Sequence, residues 1–210
     1  MNKIKIRKIF SGIIFGIILF VIIIYFSIWI YICNSVPKDL KNSYNQNIES
    51  YLNDEQYDII FFLLNGNKNH KYKWYPLILD FIISEISEKN HNYLASMTAS
   101  TIIGEYLSND YRKKMTSIDW HIKNYALMRY IVYKNDYRKC INIIFKNIYM
   151  GENIFGIENA CKHYFEKEIT NLSTDELVSL IVLSYSPTRF KINSEENKIR
   201  VMNIIHEYNL

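Results

Sequence analysis

The stretch from Gly151 to Phe190 reads GENIFGIENACKHYFEKEITNLSTDELVSLIVLSYSPTRF. Its second half carries a helix with its own start signal. Ser173-Thr174-Asp175-Glu176 stands directly before an apolar run in which Leu177, Leu180, Ile181 and Ser184 recur at helical spacing. A hydroxyl at that position satisfies one of the free backbone N–H groups of a first turn. Downstream, Ser194-Glu195-Glu196 opens a last helix running through His206, with its acids at the positive helix start. Upstream, Ile122, Tyr125, Ala126, Arg129 and Tyr130 trace a second face, and Leu77, Ile78, Phe81, Ile82 and Ile86 a third. Glycines are few, and beyond residue 46 the prolines are Pro76 and Pro187. Alternating strand patterns are scarce, so the pattern predicts an all-α domain.

The N-terminus has a different character. From Ile9 to Cys33 the chain carries no charge, and only Ser11, Gly12, Gly16 and Ser27 interrupt its large apolar residues. Roughly 20 apolar residues span a bilayer core, so this stretch predicts one transmembrane helix. Lys3, Lys5, Arg7 and Lys8 precede it without an acid, and such flanks stay in the cytoplasm. A cleaved signal peptide is the competing reading, against which stand the length of the apolar run and the absence of a small-x-small site at Ile32-Cys33-Asn34-Ser35. The expected division is a basic cytoplasmic tail over 1–8, an anchor over 9–33, a polar linker over 34–46 and one domain over 47–210, on the outer face of the membrane.

Charge narrows the function further. The sequence has 25 Lys+Arg against 21 Asp+Glu, and the four N-terminal cations make up the excess. A neutral remainder lacks the cationic footprint of nucleic-acid binding, so no nucleic-acid partner is expected. Cys33, Cys140 and Cys161 lack metal-ligand spacing, and the last two sit in apolar helical patterns as buried thiols. His70, His91, His121, His163 and His206 show no zinc-type spacing, so no metal ligands are assigned.

Residues 151–190 also resemble, without a gap, the late part of the peptidoglycan glycosyltransferase domain, glycosyltransferase family 51. Members carry runs like W-G-E-G-V-F-G-V-E-A-A-x-x-Y-F-x-K, then L-T-x-x-E-A-A-L-L-A, then P-S-R-Y. Gly151, Glu152, Phe155, Gly156, Glu158, Ala160, Tyr164, Phe165, Lys167, Leu172, Glu176, Pro187, Arg189 and Phe190 match. The resemblance implies a lysozyme-like glycosyltransferase domain of bacterial cell-wall synthesis, of the monofunctional transglycosylase kind. Its chemistry would transfer a lipid-linked glycan onto the 4-hydroxyl of lipid II, releasing undecaprenyl pyrophosphate. It further implies the bacterial cytoplasmic membrane as the location and other cell-wall synthases as partners. It allows a divalent cation held through substrate phosphate, and no other cofactor.

Upstream, the family's cleft-wall motif G-G-S-T-I-T-Q-Q-L-x-K-N aligns with residues 98–109, keeping Ser100, Thr101, Ile102 and Asn109. Its glutamines become Gly104 and Glu105, and its lysine becomes Ser108, removing a natural partner for pyrophosphate. In K-I-L-E-x-Y-L-N-x-I-Y-x-G, aligned with 139–151, Asn142 stands in place of a cleft glutamate. An amide of that shape can hydrogen-bond but carries no charge.

The first motif, E-D-x-x-F-x-x-H-x-G, contributes the general base, and two registers fit it. One keeps Asp58, Phe61 and Gly66 and sets Tyr57 on the glutamate; the other keeps His70 and sets Leu63 there. Neither has a glutamate, and losing such a base removes a factor of about 10²–10⁴. Asp58, Glu55 and the new acid Glu105 are the candidate replacements, or else solvated acids. By resemblance Ser100, Thr101, Asn109, Gly151 and Arg189 would bind substrate. Arg189 and Arg200 have a structural alternative, pairing with acids such as Glu158 or Glu176. Two functions follow: a divergent polymerase using a relocated acid, or a non-catalytic membrane protein binding lipid-linked precursor, glycan or an active synthase.

Overall fold

The computed structural model describes residues 3–48, 51–65, 93–108 and 116–210. Their order is α1 Lys3–Asn34, α2 Lys38–Asn45, α3 Asp54–Asn65, α4 Tyr93–Ser108, α5 Ser117–Lys134, α6 Tyr137–Asn147, α7 Ile157–Phe165, a 3₁₀ turn Ile169–Asn171, α8 Thr174–Tyr185 and α9 Glu195–Tyr208. Among the described residues there is no strand, only an isolated bridge between Tyr149 and Phe155. The fold is all-helical, as the spacing predicts. The face expected over Leu77–Ile86, the residue His70 and the candidate Asn109 lie outside the described residues.

Caps set the helix boundaries. Ser173 accepts from the Glu176 N–H while the Glu176 carboxylate accepts from the Ser173 N–H, a full capping box at the start of α8. Ser194 caps α9 through the Asn197 N–H, and Thr116 and Asp136 cap α5 and α6. Asn53 and Gln56 cap α3 reciprocally, at 2.9 and 3.1 Å, and the Gln56 amide donates to Ile169 O at 2.7 Å. That last bond fixes the rotation of α3 against the 3₁₀ turn.

Helix α4 is the hub, packing against α2, α3, α5 and α6. Its Leu94, Ala95, Ala99 and Ile103 are wholly buried, together with Ile60, Leu127, Ile131 and Ile141 from its neighbours. Burying each large aliphatic chain stabilises by about 1.5–3 kcal/mol. Small residues at 95 and 99 let the neighbouring backbones come close to α4. The stretch expected as a linker, 34–46, contains α2, and its Leu40 and Tyr44 enter the core one turn apart.

Helix α1 is 32 residues long, about 48 Å at 1.5 Å per residue. Its side chains are apolar and exposed, with Phe15 at 67% and Phe20 at 63%. Among the described residues no helix is long and apolar enough to cross a membrane.

Candidate functional site

The α3 capping pair turns Tyr57 inward, where it is 1% exposed. Asp136 starts α6 so that Asn142 points back at it, 4% exposed. The two meet: the Tyr57 hydroxyl donates to Asn142 Oδ1 at 2.6 Å across 85 residues of sequence. These are the residues that one register of the resemblance places at both acidic positions. Tyr51 adds a second phenol, donating to the Asn142 backbone carbonyl at 3.1 Å. Burial, then the neighbouring Tyr57 and Glu158, push the Tyr51 phenol well above its usual range, so it stays a donor. Among the described residues no carboxylate hydrogen-bonds Asn142.

Asp58 follows Tyr57 in sequence but faces outward. Its carboxylate accepts from the Tyr137 hydroxyl at 3.1 Å. Arg138 donates to the same hydroxyl at 3.2 Å, pairs with Asp54 at 2.9 Å and lies 5.3 Å over the Tyr57 ring. The cation thus sits between the buried phenol and the surface acids. Asp58 and Glu55 line a depression of about 610 Å³ together with Phe62 and Thr174.

The residues expected on α4 divide between two neighbours. Ser100 accepts from the Asn124 amide of α5 at 2.8 Å, and Thr101 donates to its own helix at Met97 O, 3.0 Å. Glu105 faces α6, where it accepts from the Asn147 amide at 2.8 Å. It lines a depression of about 270 Å³ with Ser43, Gln46, Ile143 and Lys146. Ser108, exposed, donates to Glu105 O of its own helix at 2.7 Å. The candidate replacement acids therefore lie in two separate depressions, and Asn142 lines neither.

Gly151 belongs to a tight turn. Glu152 and Asn153 have φ of 50° and 62°, Ile154 N–H donates to Gly151 O at 2.8 Å, and Met150 N–H to Ile154 O at 2.9 Å. Positive φ at both central residues is the hairpin form of the β-turn. Gly156 closes the loop at φ 84°, where an added Cβ would stand 2.5 Å from Lys146 O. The retained glycines thus have backbone reasons of their own.

Arg189 lies past α8, exposed, its guanidinium 5.1 Å over the Phe190 ring. The expected pairing with Glu176 does not occur, because Lys167 at 2.7 Å and the Ser173 cap already occupy that carboxylate. Nor does Arg189 pair with Glu158 or any other described acid. It shares a depression of about 510 Å³ with Arg200, and no residue of that depression lines the other two. Cys140 and Cys161 are buried and form no disulfide, and burial pushes Cys161 up to about 12.

Sequence reasoning missed Tyr51 and the Tyr137–Arg138 pair, which surround the central contact. Their only sequence signal is the aromatic richness near positions 51–62 and 137. Chemically the centre is a phenol–amide pair closed to solvent, and among the described residues no carboxylate hydrogen-bonds its Asn142. Such a pair holds helices together and offers no base.

Residues 82–208 match the family described as transglycosylase. Penicillin-binding protein 1A of Aquifex aeolicus is 29% identical over 91 residues, covering 43% of this chain and 12% of that protein. The biosynthetic peptidoglycan transglycosylases of Yersinia pestis and Yersinia pseudotuberculosis are each 33% identical over 57 residues, 27% of this chain and 24% of theirs. The chain therefore aligns with a minor part of the length of these relatives.

Proposed function

Because the chain belongs to the transglycosylase family, we propose that it serves cell-wall glycan synthesis by binding a lipid-linked precursor that it does not polymerise. The ligand in this reading is lipid II or another undecaprenyl-pyrophosphate-linked glycan, and the fold a lysozyme-like glycosyltransferase domain over residues 47–210. One observation carries the reading: the Tyr57 hydroxyl on Asn142 Oδ1, both buried.

Deprotonating a sugar hydroxyl needs a general base, a carboxylate in the family's motif, within hydrogen-bond reach of it. Tyr57 already spends its proton on Asn142, and an amide neither accepts a proton nor balances developing charge. The pair is also stable as it is, since two close carboxylates could not both be ionised. Asp58 and Glu105 are held by Tyr137 and Asn147, in separate depressions. Among the described residues, none of Asp58, Glu55 and Glu105 lines a depression that Asn142 shares. Ser100, Thr101 and Gly151 keep the helical frame, whereas Ser108 in place of a lysine weakens pyrophosphate binding.

Helix α1 is the anchor in this reading, with Lys3 to Lys8 in the cytoplasm and the domain on the outer face of the bacterial cytoplasmic membrane. Its exposed apolar side chains support that placement. An active synthase bound beside it would be the natural consumer of a held precursor. The test is a titration of detergent-solubilised full chain with fluorescent lipid II. Saturable binding, displaced by unlabelled lipid II, is expected; absence of binding at any accessible concentration would remove the precursor from the account.

A further inference from the structure

The depression at the junction of α8 and α9 collects donors that have no hydrogen-bond or ion-pair partner among the described residues. Arg189 comes from the turn after α8 and Arg200 from α9, and neither forms an ion pair or a side-chain hydrogen bond with any described residue. The Tyr185 hydroxyl and the Asn203 amide line the same hollow, likewise without a hydrogen-bond partner among the described residues. Desolvation, then the Tyr93 phenol, push Tyr185 up to about 12 against a downward pull from Arg200, so the phenol remains a donor. Against these donors stands one acid, Glu196, one turn before Arg200 on α9 and unpaired with it. The remaining wall is apolar, formed by Phe190 and by Ile199, which is 46% exposed.

We propose that this hollow is a binding site for a phosphate ester, with the phosphate between the Arg189 and Arg200 guanidiniums and the organic part against Phe190 and Ile199. Two planar guanidiniums approach from different elements, and each presents a fork that matches two oxygens of one anion. An amide N–H and a phenol O–H bring the converging donor groups to four. A carboxylate has two oxygens to receive them, whereas a phosphate monoester has three terminal oxygens and suits the larger set. The volume of about 510 Å³ also exceeds what a bare ion needs, which leaves room for the alcohol side of the ester. No residue lining it lines the depressions at Glu105 or Asp58, and Arg189 is the one residue it shares with those the resemblance gives to the lipid-linked substrate.

The probe is glycerol 3-phosphate, titrated calorimetrically into the full chain in neutral detergent, with succinate as the carboxylate control. Saturable binding of the phosphate, at least about tenfold tighter than succinate, is expected. Arg189→Ala and Arg200→Ala should each weaken it by about 10- to 100-fold, the range for a lost charged hydrogen bond. Arg200→Lys, which keeps the charge but not the fork, should fall between. Both arginines are exposed, so helix content by circular dichroism should stay that of the parent. A second arm separates the sources of the phosphate. If phosphatidic acid nanodiscs, but not phosphatidylcholine ones, abolish glycerol 3-phosphate binding, the natural ligand is a lipid headgroup; if neither does, it is a free ester. Absence of saturable binding overturns the proposal. So does equal affinity for succinate, or unchanged affinity in both alanine variants.

Discussion

Tyr57→Phe removes one oxygen atom from the centre of the domain and leaves the ring in place. The hydroxyl lost is the donor to Asn142 Oδ1 at 2.6 Å, in a position 4% exposed on the amide side. A hydrogen bond of this kind is worth about 1 kcal/mol net, and leaving its buried acceptor unsatisfied costs about 1–3 kcal/mol. The variant should therefore lose about 2 kcal/mol, equivalent to about 4–8 °C in Tm for a domain of this size. Urea unfolding followed by circular dichroism measures it, with an unchanged m value required for the comparison. Asn142→Leu alone should cost at least as much, because it strands the phenol. The double variant Tyr57→Phe with Asn142→Leu should recover part of the sum, because neither partner is then left unpaired. A loss below about 0.5 kcal/mol in Tyr57→Phe, or strict additivity in the double variant, would refute the claim that the pair is a buried structural bond.

Further expectations follow from the glycines, the α8 cap and the anchor. Gly156→Ala should destabilise by more than about 2 kcal/mol, since the new Cβ meets Lys146 O at 2.5 Å in a conformation reserved for glycine. Gly104→Ala, in mid-helix with nothing within 4 Å of the new atom, should stabilise by about 0.5–1 kcal/mol in the same urea assay. The Lys167 hydrogen bond and the Ser173 N–H hold the Glu176 carboxyl below its usual range. A depressed folded pKa contributes stability that is present above the unfolded value and lost as pH falls through the folded one. Lys167→Met should thus flatten the acid side of the stability curve below about pH 4.3, by well under 1 kcal/mol because the pair is partly exposed. Protease added to intact spheroplasts should digest the domain beyond α2, and protection until lysis would reverse the orientation.

The parts of the fold that were legible in the sequence are those fixed by local chemistry. Ser173 and Ser194 declare their helices because a cap is a contact between near neighbours, and Leu177, Leu180 and Ile181 face the core because the helix repeat puts them there. Helix α2 was hidden: its eight residues carry mostly polar side chains, and only Leu40 and Tyr44 reach the core. The turn at Gly151 was visible as a motif but not as geometry, because consecutive positive φ at Glu152 and Asn153 leaves no composition signal beyond one asparagine. At the candidate site the sequence located Asn142 and offered two registers for its counterpart. The contact with Tyr57 bridges 85 residues and depends on how α3 and α6 dock, which neither segment encodes alone. For Arg189 the sequence leaves two roles, substrate contact or pairing with an acid such as Glu158 or Glu176; against the pairing with Glu176 stands the use of that carboxylate by Lys167 and its own cap.

Polymerisation itself is the direct test of a centre built on the Tyr57–Asn142 pair. Purified full chain in detergent, incubated with labelled lipid II and a divalent cation, should yield no glycan polymer above the level of a no-protein control, while the same preparation binds the labelled precursor. Polymer formed at a rate comparable to an ordinary family member, and abolished by Glu105→Gln or Asp58→Asn, would contradict the account and identify the base.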